Sequence, residues 1–307
     1  MSGENLSDLL RIFRAVVDGE SFSAAGRQLN MSPAWVAKQV TRLEAHLDTA
    51  LLIRSTRSLR LTDAGQECYR TAGKVADELS ALKNKMHSDA RHVSGSVRIN
   101  VPSIVAMHIL APHLAGFQRS YPNVHLDVSV SESFVDVQNE DVDIVFRVVN
   151  ALGDSSAIVQ QVAEVPRVLC AAQSYWDGAP ATNQISDLKA HNALMFSGLQ
   201  SPMQWLLQHN AHQEWVAPTI AMQANNSFIL KQAALDGAGL AFLPRIIVEA
   251  ELASGQLVQL DHIRDAAPFG LFLLRAPQKH VPARVQVAWR YFAKVCRRFP
   301  ALDLAPE

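Results

Sequence analysis

The sequence lacks any long uninterrupted run of apolar residues. Hydrophobic residues make up 49% of its 307 positions, yet no window offers the roughly 18 consecutive apolar residues that a membrane-spanning helix needs. The segment Met1–Leu10 is polar and acidic, whereas a secretory signal peptide starts with a basic stretch followed by an apolar one. We therefore expect a cytoplasmic protein with no membrane segment.

Cysteine is also scarce. The chain has three, Cys68, Cys170 and Cys296, which are far apart and form no CxxC pair. This usage fits a reducing compartment and argues against a structural zinc site. Small core residues are the favoured interpretation, and a redox switch stays open only if two of the thiols meet in space. His209 and His212 are three apart but have no obvious third ligand, so we interpret them as exposed loop residues and predict neither a metal nor a cofactor.

Sequence signatures of common catalytic sites are missing as well. No GxSxG elbow, GxxxxGK[ST] loop or HExxH helix occurs. Gly237–Gly239 is a GxG motif, but it follows a predicted helix rather than a strand, so it indicates a helix end and not a phosphate-binding loop. We predict that the protein has no catalytic residues and is not an enzyme.

Positive charge is unevenly distributed along the chain. The net charge is only −1, but between Arg27 and Thr62 six basic residues stand against two acidic ones. Clustered positive charge is the electrostatic signature of a DNA-binding surface, and an ordinary solvated surface is the alternative on charge alone. The six basic residues are Arg27, Lys38, Arg42, Arg54, Arg57 and Arg60.

Apolar residues near the N-terminus recur at intervals of three and four, which indicates helices. A first helix is predicted over Leu6 to about Gly19. A second, capped by Ser21 or Ser23, ends near Leu29.

A third helix is predicted to start at Pro33, because Ser32 is a good N-cap and proline is accepted at the first helical position. Its apolar face carries Val36, Val40, Leu43 and Leu47. Its polar face carries Trp35, Lys38, Thr41 and Arg42. Two short helices joined by a tight turn, the second with a polar and basic face, indicate a helix-turn-helix.

A two-stranded wing and a long helix are predicted next. Leu51–Leu61 forms the wing, with arginines at its tip, and Thr62 or Asp63 caps a helix that runs to about Ala90. Residues along this helix are spaced 4, 3, 4, 3 and 4, a heptad seam along which two copies could pair; packing of the seam onto its own domain is the alternative. The seam consists of Cys68, Ala72 and the predicted dimerisation residues Val75, Leu79, Leu82 and Met86.

Beyond a hinge predicted at Ser94–Ser96, the pattern changes to alternating strands and helices. This alternation is typical of an α/β fold with largely parallel sheets. Strands are predicted at Val97–Val101, Val124–Val130, Val142–Phe146, Val168–Ala172, Ile220–Gln223, Leu240–Leu243 and Leu271–Leu274. Helices are predicted at Val105–Arg119, Ser227–Asp236, Arg245–Ala253 and Pro282–Arg297.

Segments throughout the chain resemble the LysR-type transcriptional regulators in order and spacing. The N-terminal part matches at Phe13–Val17, Ser21–Ala25, Leu29, Ser32, Val36, Leu43–Glu44, Leu47, Arg54, Arg57 and Leu61–Gly65. The C-terminal part matches at Tyr121–Val124, Asp143–Arg147 and Gly237–Pro244. The resemblance covers nearly the whole chain, and its N-terminal motifs are the more specific ones.

The resemblance implies an α + α/β protein: a winged helix-turn-helix DNA-binding domain at 1–62, a dimerising linker helix at 63–90 and an effector-binding domain at 91–307. The last domain is expected to have two α/β lobes like the periplasmic binding proteins, lobe I at about 96–166 and 269–299 and lobe II at about 167–261. The implied function is sequence-specific transcription regulation controlled by an effector bound between the lobes. The implied partners are a double-stranded DNA operator, the small-molecule effector, further copies in a homodimer or homotetramer, and RNA polymerase.

The predicted DNA-reading residues lie near the start of the third helix, which would enter the major groove. Ala34 and Trp35 could contact thymine methyl groups, and Lys38 could donate to guanine or to a phosphate. For Trp35 a partly buried aromatic is the alternative. Phosphate contacts are predicted for Ser23, Thr41, Arg42, Arg54 and Arg57.

Three positions depart from the family pattern. The family often has Gln or Ser where this chain has Pro33 and Ala37, so the predicted DNA interface, which includes Pro33, is less polar than usual. The family also has Gly where this chain has Asp48. Glycine enters the left-handed conformation more freely than Asp does. Because the predicted base-reading positions are less polar than usual in the family, the operator sequence stays open.

The effector cleft is expected where strands end and helices begin, because backbone N–H groups there favour anions. By resemblance, the cleft residues are Ser103, Ser131, Arg147, Val149, Phe196, Ser197, Asn225, Asn226 and Ser227. An arginine among several hydroxyl groups indicates a small organic anion as the effector. For Arg147 an ion pair between the lobes is the alternative, since arginine pairs as readily with protein carboxylates.

Other functions stay open beside effector control. A DNA-binding regulator that responds to redox state or to a partner is the main alternative. A solute-binding receptor is more remote, because the chain has a basic N-terminal domain and no signal peptide. An enzyme on the same scaffold is disfavoured by the missing catalytic motifs.

Overall fold

The computed structural model describes residues 6–54, 59–86, 93–133, 137, 141–150, 152, 156–198, 203–278, 280–299 and 303–304. The chain divides into two compact units, Met1–His92 and Val93–Glu307. Within the described ranges, every helix is too short or too polar to cross a lipid bilayer.

The helices of the first unit form where the apolar spacing predicts them. The unit contains α1 (Leu6–Asp18), α2 (Phe22–Leu29), α3 (Pro33–His46), β1 (Leu52–Arg54), β2 (Leu59–Leu61) and α4 (Asp63–Met86). Strands β1 and β2 pair antiparallel as the predicted wing. Of the candidate caps, Ser21 accepts a hydrogen bond from the Ala24 N–H at 3.0 Å, and Thr62 accepts one from the Gly65 N–H at 2.9 Å.

The apolar face of α3 is shorter than predicted. Val36, Val40 and Leu43 are completely buried and share a core with residues of α1. Leu47, predicted for the same face, is 40% exposed. Leu47 is the C-cap of α3, which ends at His46, and the apolar core of the first unit does not extend to it.

The heptad seam of α4 has two parts with different environments. Ala72 is buried, and Cys68 packs against the core of the first unit, which fits the alternative of packing onto its own domain. Leu79, by contrast, is 46% exposed. The side chains of Leu82 and Met86, and residues 87–90, lie outside the described part of the chain.

The second unit is built on two main sheets and a smaller one. Its strands are β3 (Gly95–Val101), β4 (Val124–Val130), β5 (Ile144–Val149), β6 (Ile158–Val165), β7 (Arg167–Ala171), β8 (Asn192–Phe196), β9 (Trp205–His209), β10 (His212–Val216), β11 (Thr219–Ala224), β12 (Leu240–Pro244), β13 (Val258–Gln259), β14 (Arg264–Asp265), β15 (Phe269–Arg275) and β16 (Asp303–Leu304). The six-stranded sheet has the order β16-β6-β15-β5-β3-β4 and forms the first lobe. The second lobe contains the five-stranded sheet β11-β8-β12-β7-β13 and the three-stranded sheet β10-β9-β14.

Both main sheets are mixed, so the prediction of largely parallel sheets is wrong. Strand β3 pairs parallel with β4 and β5, and β8 pairs parallel with β11 and β12, as strand–helix alternation predicts. Strand β15, however, is antiparallel to β5 and β6, and β7 is antiparallel to β12. The chain crosses between the lobes twice, and the strands beside the two crossings run against their neighbours.

The predicted helices of the second unit are all present. The helical segments are α5 (Ser103–Val105), a π-helical segment (Ala106–Leu110), α6 (Ala111–Ser120), α7 (Gln173–Gly178), a 3-10 helix (Ile185–Ala190), α8 (Ser227–Leu235), α9 (Arg245–Ala253) and α10 (Ala283–Arg297). The segment predicted as a hinge is partly strand, since Gly95 and Ser96 begin β3 and the Gly95 N–H donates to the Asn123 carbonyl at 3.1 Å. Gly95 has a φ of +113°, a conformation that favours glycine.

The core of the second unit continues from one lobe into the other. Its largest apolar cluster combines Phe117, Phe146 and Phe292 of the first lobe with Cys170 and Leu230 of the second. The lobes are therefore packed together through buried side chains as well as joined by two connections.

Candidate DNA interface and effector cleft

The turn between α2 and α3 is tightly constrained. Asn30 adopts a left-handed conformation (φ 55°) at the end of α2. Ser32 caps α3 by accepting a hydrogen bond from the Trp35 N–H at 3.2 Å. Gly26 lies beside the turn, where a Cβ atom would come within 2.7 Å of the Met31 carbonyl oxygen. The absence of a side chain at this position lets the two helices approach closely.

Glu44 connects α3 to the wing. Its carboxylate accepts hydrogen bonds from the Leu51 and Leu52 N–H groups at 2.9 and 3.1 Å. Between Glu44 and the wing, Asp48 has a φ of +49°. This is the left-handed conformation, which explains why glycine is usual at this position. Sequence reasoning counted Glu44 as an acidic residue in a basic stretch and as part of a family motif, and assigned it no contact. Its contacts, seven and eight residues away, follow no helical or strand periodicity.

The face of α3 opposite the core carries the predicted DNA-reading residues. Trp35 is 37% exposed and does not belong to the apolar core of the first unit, so the alternative of a partly buried core aromatic loses support. Arg57 lies outside the described residues, and of Arg54 only the backbone, in β1, is described. The exposed candidates are Ser23, Pro33, Ala34, Trp35, Lys38, Thr41 and Arg42.

A cavity of about 70 Å³ lies between the two lobes of the second unit. This is room for only a few water-sized groups. Five of the nine predicted cleft residues line it, namely Ser103, Arg147, Val149, Phe196 and Ser227. The other lining residues are Pro102, Ile104, Glu132, Val148, Arg167, Gly198, Phe242, Pro244 and Phe269. Aromatic walls with a few charged groups are typical of ligand sites.

The other four predicted cleft residues do not line this cavity. The Ser131 hydroxyl accepts a hydrogen bond from the Ser133 N–H at 3.1 Å. The Ser197 N–H donates to the Ala224 carbonyl at 2.9 Å, and Asn225 is exposed. Asn226 caps α8, and its amide also donates across the cleft to the Ser103 hydroxyl at 3.3 Å.

Arg147 lies inside β5 rather than after it, because the strand continues to Val149. The residue is 7% exposed. Its Nη1 donates to Asn100 Oδ1 at 3.1 Å and to the Phe146 carbonyl at 2.8 Å, and its Nη2 donates to the Ser133 carbonyl at 3.1 Å. These three acceptors are neutral and belong to the first lobe, so these bonds tie the guanidinium at the cavity to that lobe.

A buried ion pair fastens the two connections between the lobes. The chain passes from β6 to β7 at Pro166 and returns from β14 to β15 ahead of Phe269. Arg167 donates from Nε and Nη2 to the Asp265 carboxylate, both at 2.8 Å. Its guanidinium also lies over the rings of Phe242 and Phe269, 4.3 and 3.8 Å from their centroids. Sequence reasoning missed Arg167, whose partner Asp265 is 98 residues away.

Glu132 is the second cavity residue that sequence reasoning missed. It follows Ser131 at the end of β4, and its carboxylate accepts hydrogen bonds from the Ser103 N–H at 2.9 Å and from the Ser103 hydroxyl. Because that hydroxyl also accepts from Asn226, a chain of hydrogen bonds crosses the cleft. One signal in the sequence could have indicated Glu132: it directly follows Ser131, which was predicted to lie in the cleft.

The cysteines are poorly suited to a redox role. Burial raises the pKa of the Cys170 and Cys296 thiols to about 12, so both thiols are protonated at neutral pH. All three cysteines are free, and burial also raises the pKa of Cys68. Since the thiolate is the reactive form, the redox alternative loses support.

The two histidines considered as metal ligands lie in a hairpin. His209 ends β9 and pairs in register with His212, which starts β10, so the prediction of a loop position is wrong. In the part of the chain that the structure describes, no group of three or more His, Cys, Asp or Glu side chains is placed to hold a metal ion.

These features define a class of protein, in which a helix-turn-helix module shares a chain with a two-lobed α/β module that has a cavity between its lobes. Residues 7–66 match the family model "Bacterial regulatory helix-turn-helix protein, lysR family" and residues 90–297 match "LysR substrate binding domain". The chain therefore belongs to the LysR family, and it is a DNA-binding transcriptional regulator.

Individual relatives and solved structures agree with this assignment. The HTH-type transcriptional regulator PtxR of Pseudomonas aeruginosa is 28% identical, over 90% of this chain and 88% of the relative. The HTH-type transcriptional activator AaeR of Escherichia coli is 29% identical, over 94% of this chain and 95% of the relative. Among solved structures, that of CrgA, a LysR-type transcriptional regulator from Neisseria meningitidis, has 26% sequence identity and a TM-score of 0.59. The match covers 94% of this chain and 98% of CrgA. The full-length structure of the Vibrio cholerae virulence activator AphB has 25% sequence identity and a TM-score of 0.57, and the match covers 95% of this chain and 98% of AphB.

Proposed function

We propose that this regulator binds a specific DNA operator through the exposed face of α3, and that a small organic anion in the cleft between the lobes controls its activity. The observation that carries the first part is the solvent-exposed face with Trp35 and Lys38 directly after the Ser32 cap. Residues near the start of a recognition helix reach base edges in the major groove. This role makes the protein a binding regulator and not an enzyme.

Replacing Lys38 by alanine is expected to weaken operator binding more than binding to random DNA. A good base contact is worth about 1–3 kcal/mol, or roughly 5- to 150-fold in Kd, whereas a phosphate contact weakens both complexes alike. The measurement is fluorescence anisotropy of the full chain on an operator selected from a randomised duplex library and on a scrambled duplex.

The matched control for this test is Lys189→Ala, because Lys189 is also exposed but lies in the second unit. It should leave both affinities unchanged. An equal loss on both duplexes for Lys38→Ala would contradict base reading by Lys38.

The anionic effector is supported by the groups that meet at the cavity. Arg147 presents a guanidinium, Ser103 a hydroxyl, and Ser227 follows the cap of α8. A small anion fits a cavity of about 70 Å³ better than a large metabolite does. A regulator controlled by a partner protein remains the second candidate, and RNA polymerase stays a predicted partner.

We also propose that two copies of the chain pair through a groove of the first unit. This groove, of about 530 Å³, runs between α1 and α4, and its apolar lining includes Leu10, Leu29, Val75 and Leu79. We infer that the same face of a second copy packs into this groove. The exposed part of the heptad seam lines the groove, and a heptad seam associates with the heptad seam of another helix.

Leu79→Glu is expected to weaken self-association about 100-fold or more, because pairing would bury an uncompensated carboxylate. Sedimentation velocity of the full chain over a concentration series measures this change. Gln66→Glu, which adds the same charge at an exposed position of α4, is the control. Unchanged association of the Leu79→Glu variant would contradict this interface.

A further inference from the structure

Two hydrogen-bond donors at the cavity, both belonging to Ser103, are already occupied by a carboxylate of the protein itself. Glu132 accepts from both the backbone N–H and the hydroxyl of Ser103, and both residues line the cavity. Charge-assisted bonds of this kind are roughly twice as strong as neutral ones. An anionic effector that used Ser103 would therefore meet an internal competitor.

The same carboxylate is connected to the second lobe. The Ser103 hydroxyl accepts from Asn226 Nδ2 at 3.3 Å, and Asn226 Oδ1 accepts from the Phe228 N–H at the start of α8 at 2.9 Å. Glu132 thus orients the Ser103 hydroxyl, which in this chain of hydrogen bonds connects the first lobe to the cap of α8. Rotation of that hydroxyl to a new acceptor would change the contact with Asn226.

Glu132 also lies beside the group that holds Arg147. The next residue, Ser133, accepts a hydrogen bond from Arg147 Nη2 through its carbonyl at 3.1 Å. Both Glu132 and Arg147 line the cavity, so a carboxylate that replaced Glu132 at Ser103 would lie in the same cavity as the guanidinium.

Resting on the proposed function, we propose that Glu132 is an internal stand-in for the effector's carboxylate. The effector is a small monocarboxylate that binds by displacing Glu132 from Ser103, and this exchange alters the Ser103–Asn226 bond between the lobes. Two carboxylates cannot share one pair of donors, because like charges in close contact repel. Glu132 therefore sets the threshold concentration at which the regulator responds.

The test compares acetate binding to the wild-type full chain and to Glu132→Gln. The glutamine has the same size and still accepts from Ser103, but it carries no charge and bonds more weakly. Isothermal titration with sodium acetate is expected to give an affinity at least about tenfold higher for Glu132→Gln. Acetamide, the uncharged probe of the same shape, is expected to show no such gain.

Two further variants keep the result interpretable. Glu249→Gln removes a carboxylate from the exposed side of α9 and should leave acetate affinity unchanged, which excludes an effect of net charge. Ser103→Ala added to Glu132→Gln should remove the gained affinity, because the hydroxyl donor is lost. Circular dichroism of each variant confirms that it is folded.

Equal acetate affinity for the wild type and Glu132→Gln would overturn the exchange while leaving binding in the cleft intact. Absence of acetate binding by folded Glu132→Gln would also overturn it. A failure of the exchange stays distinguishable from a failure of effector control, because a thermal-shift screen of the wild type and Arg147→Ala against small carboxylates tests effector control independently.

Discussion

Arg167→Ala is expected to destabilise the two-lobed unit by about 3–5 kcal/mol, because removing one partner of a buried ion pair leaves the other charge uncompensated. The side chains of Arg167 and Asp265 are only 12% and 7% exposed, so solvent cannot replace the lost contact. The alanine would also leave a space between the rings of Phe242 and Phe269. For a unit of this size we expect the Tm to fall by about 10 °C.

The measurement is urea unfolding of the full chain in a Trp35→Phe background. The remaining tryptophans, Trp176, Trp205, Trp215 and Trp289, all belong to the second unit, so their fluorescence reports on it alone. Arg264→Ala, which removes the exposed arginine next to Asp265, is the matched control and should change stability by less than about 0.5 kcal/mol.

A double variant separates the charge from the packing. Arg167→Met with Asp265→Leu replaces both charges by apolar groups, and such replacements are often neutral or stabilising. Substantial recovery of stability relative to Arg167→Ala is expected. A single Arg167→Ala variant as stable as the wild type would contradict the structural role assigned to this pair.

The second large effect is expected for Arg147→Ala, which should weaken effector binding by about 2–5 kcal/mol, roughly 30-fold or more in Kd. Operator affinity without effector should stay the same, since Arg147 lies in the second unit. A ligand at about 100 times its Kd stabilises the folded protein by roughly 2.7 kcal/mol. A thermal-shift screen of the full chain against small carboxylates would therefore find the effector, and titration of the hit would compare the variants.

The controls for this test address the structural contacts of Arg147. Its bonds to Asn100 and to two carbonyls mean that the alanine variant loses some stability, so titrations belong well below its Tm. Arg147→Lys keeps the charge but not the bidentate geometry and should recover binding only in part. An unaltered response to the hit would contradict the pocket, and a collapsed Tm would assign Arg147 a structural role.

The helix-turn-helix could be predicted from sequence because its information is local. The spacing of Val36, Val40 and Leu43, and the caps Ser21 and Ser32, each act within four residues, and the structure confirms them. The prediction failed for Leu47, where the end of the helix and not the apolar spacing decided burial. Local patterns thus define an element well and its last residue poorly.

The cleft could be predicted only in outline. The end of the first predicted strand of the effector domain indicated Ser103, and the family resemblance indicated Phe196. The charged groups that shape the cavity, however, depend on contacts between residues that are distant in sequence. Glu132 reaches Ser103 over 29 residues and Arg167 reaches Asp265 over 98. Strand β6, which leads into the first crossing, lacks regular alternation between apolar and polar residues, so the change of lobe near residue 166 was predicted from the family resemblance and not from periodicity.

The most direct test of the account is the ratio of two dissociation constants for the wild-type full chain. Fluorescence anisotropy at one fixed salt concentration gives the Kd for the duplex selected from the randomised library and for its scrambled counterpart. Specific regulators bind their operators about 10³-fold or more tightly than other DNA, and we predict a ratio of at least that size. Equal affinity for the two duplexes would contradict sequence-specific binding through α3.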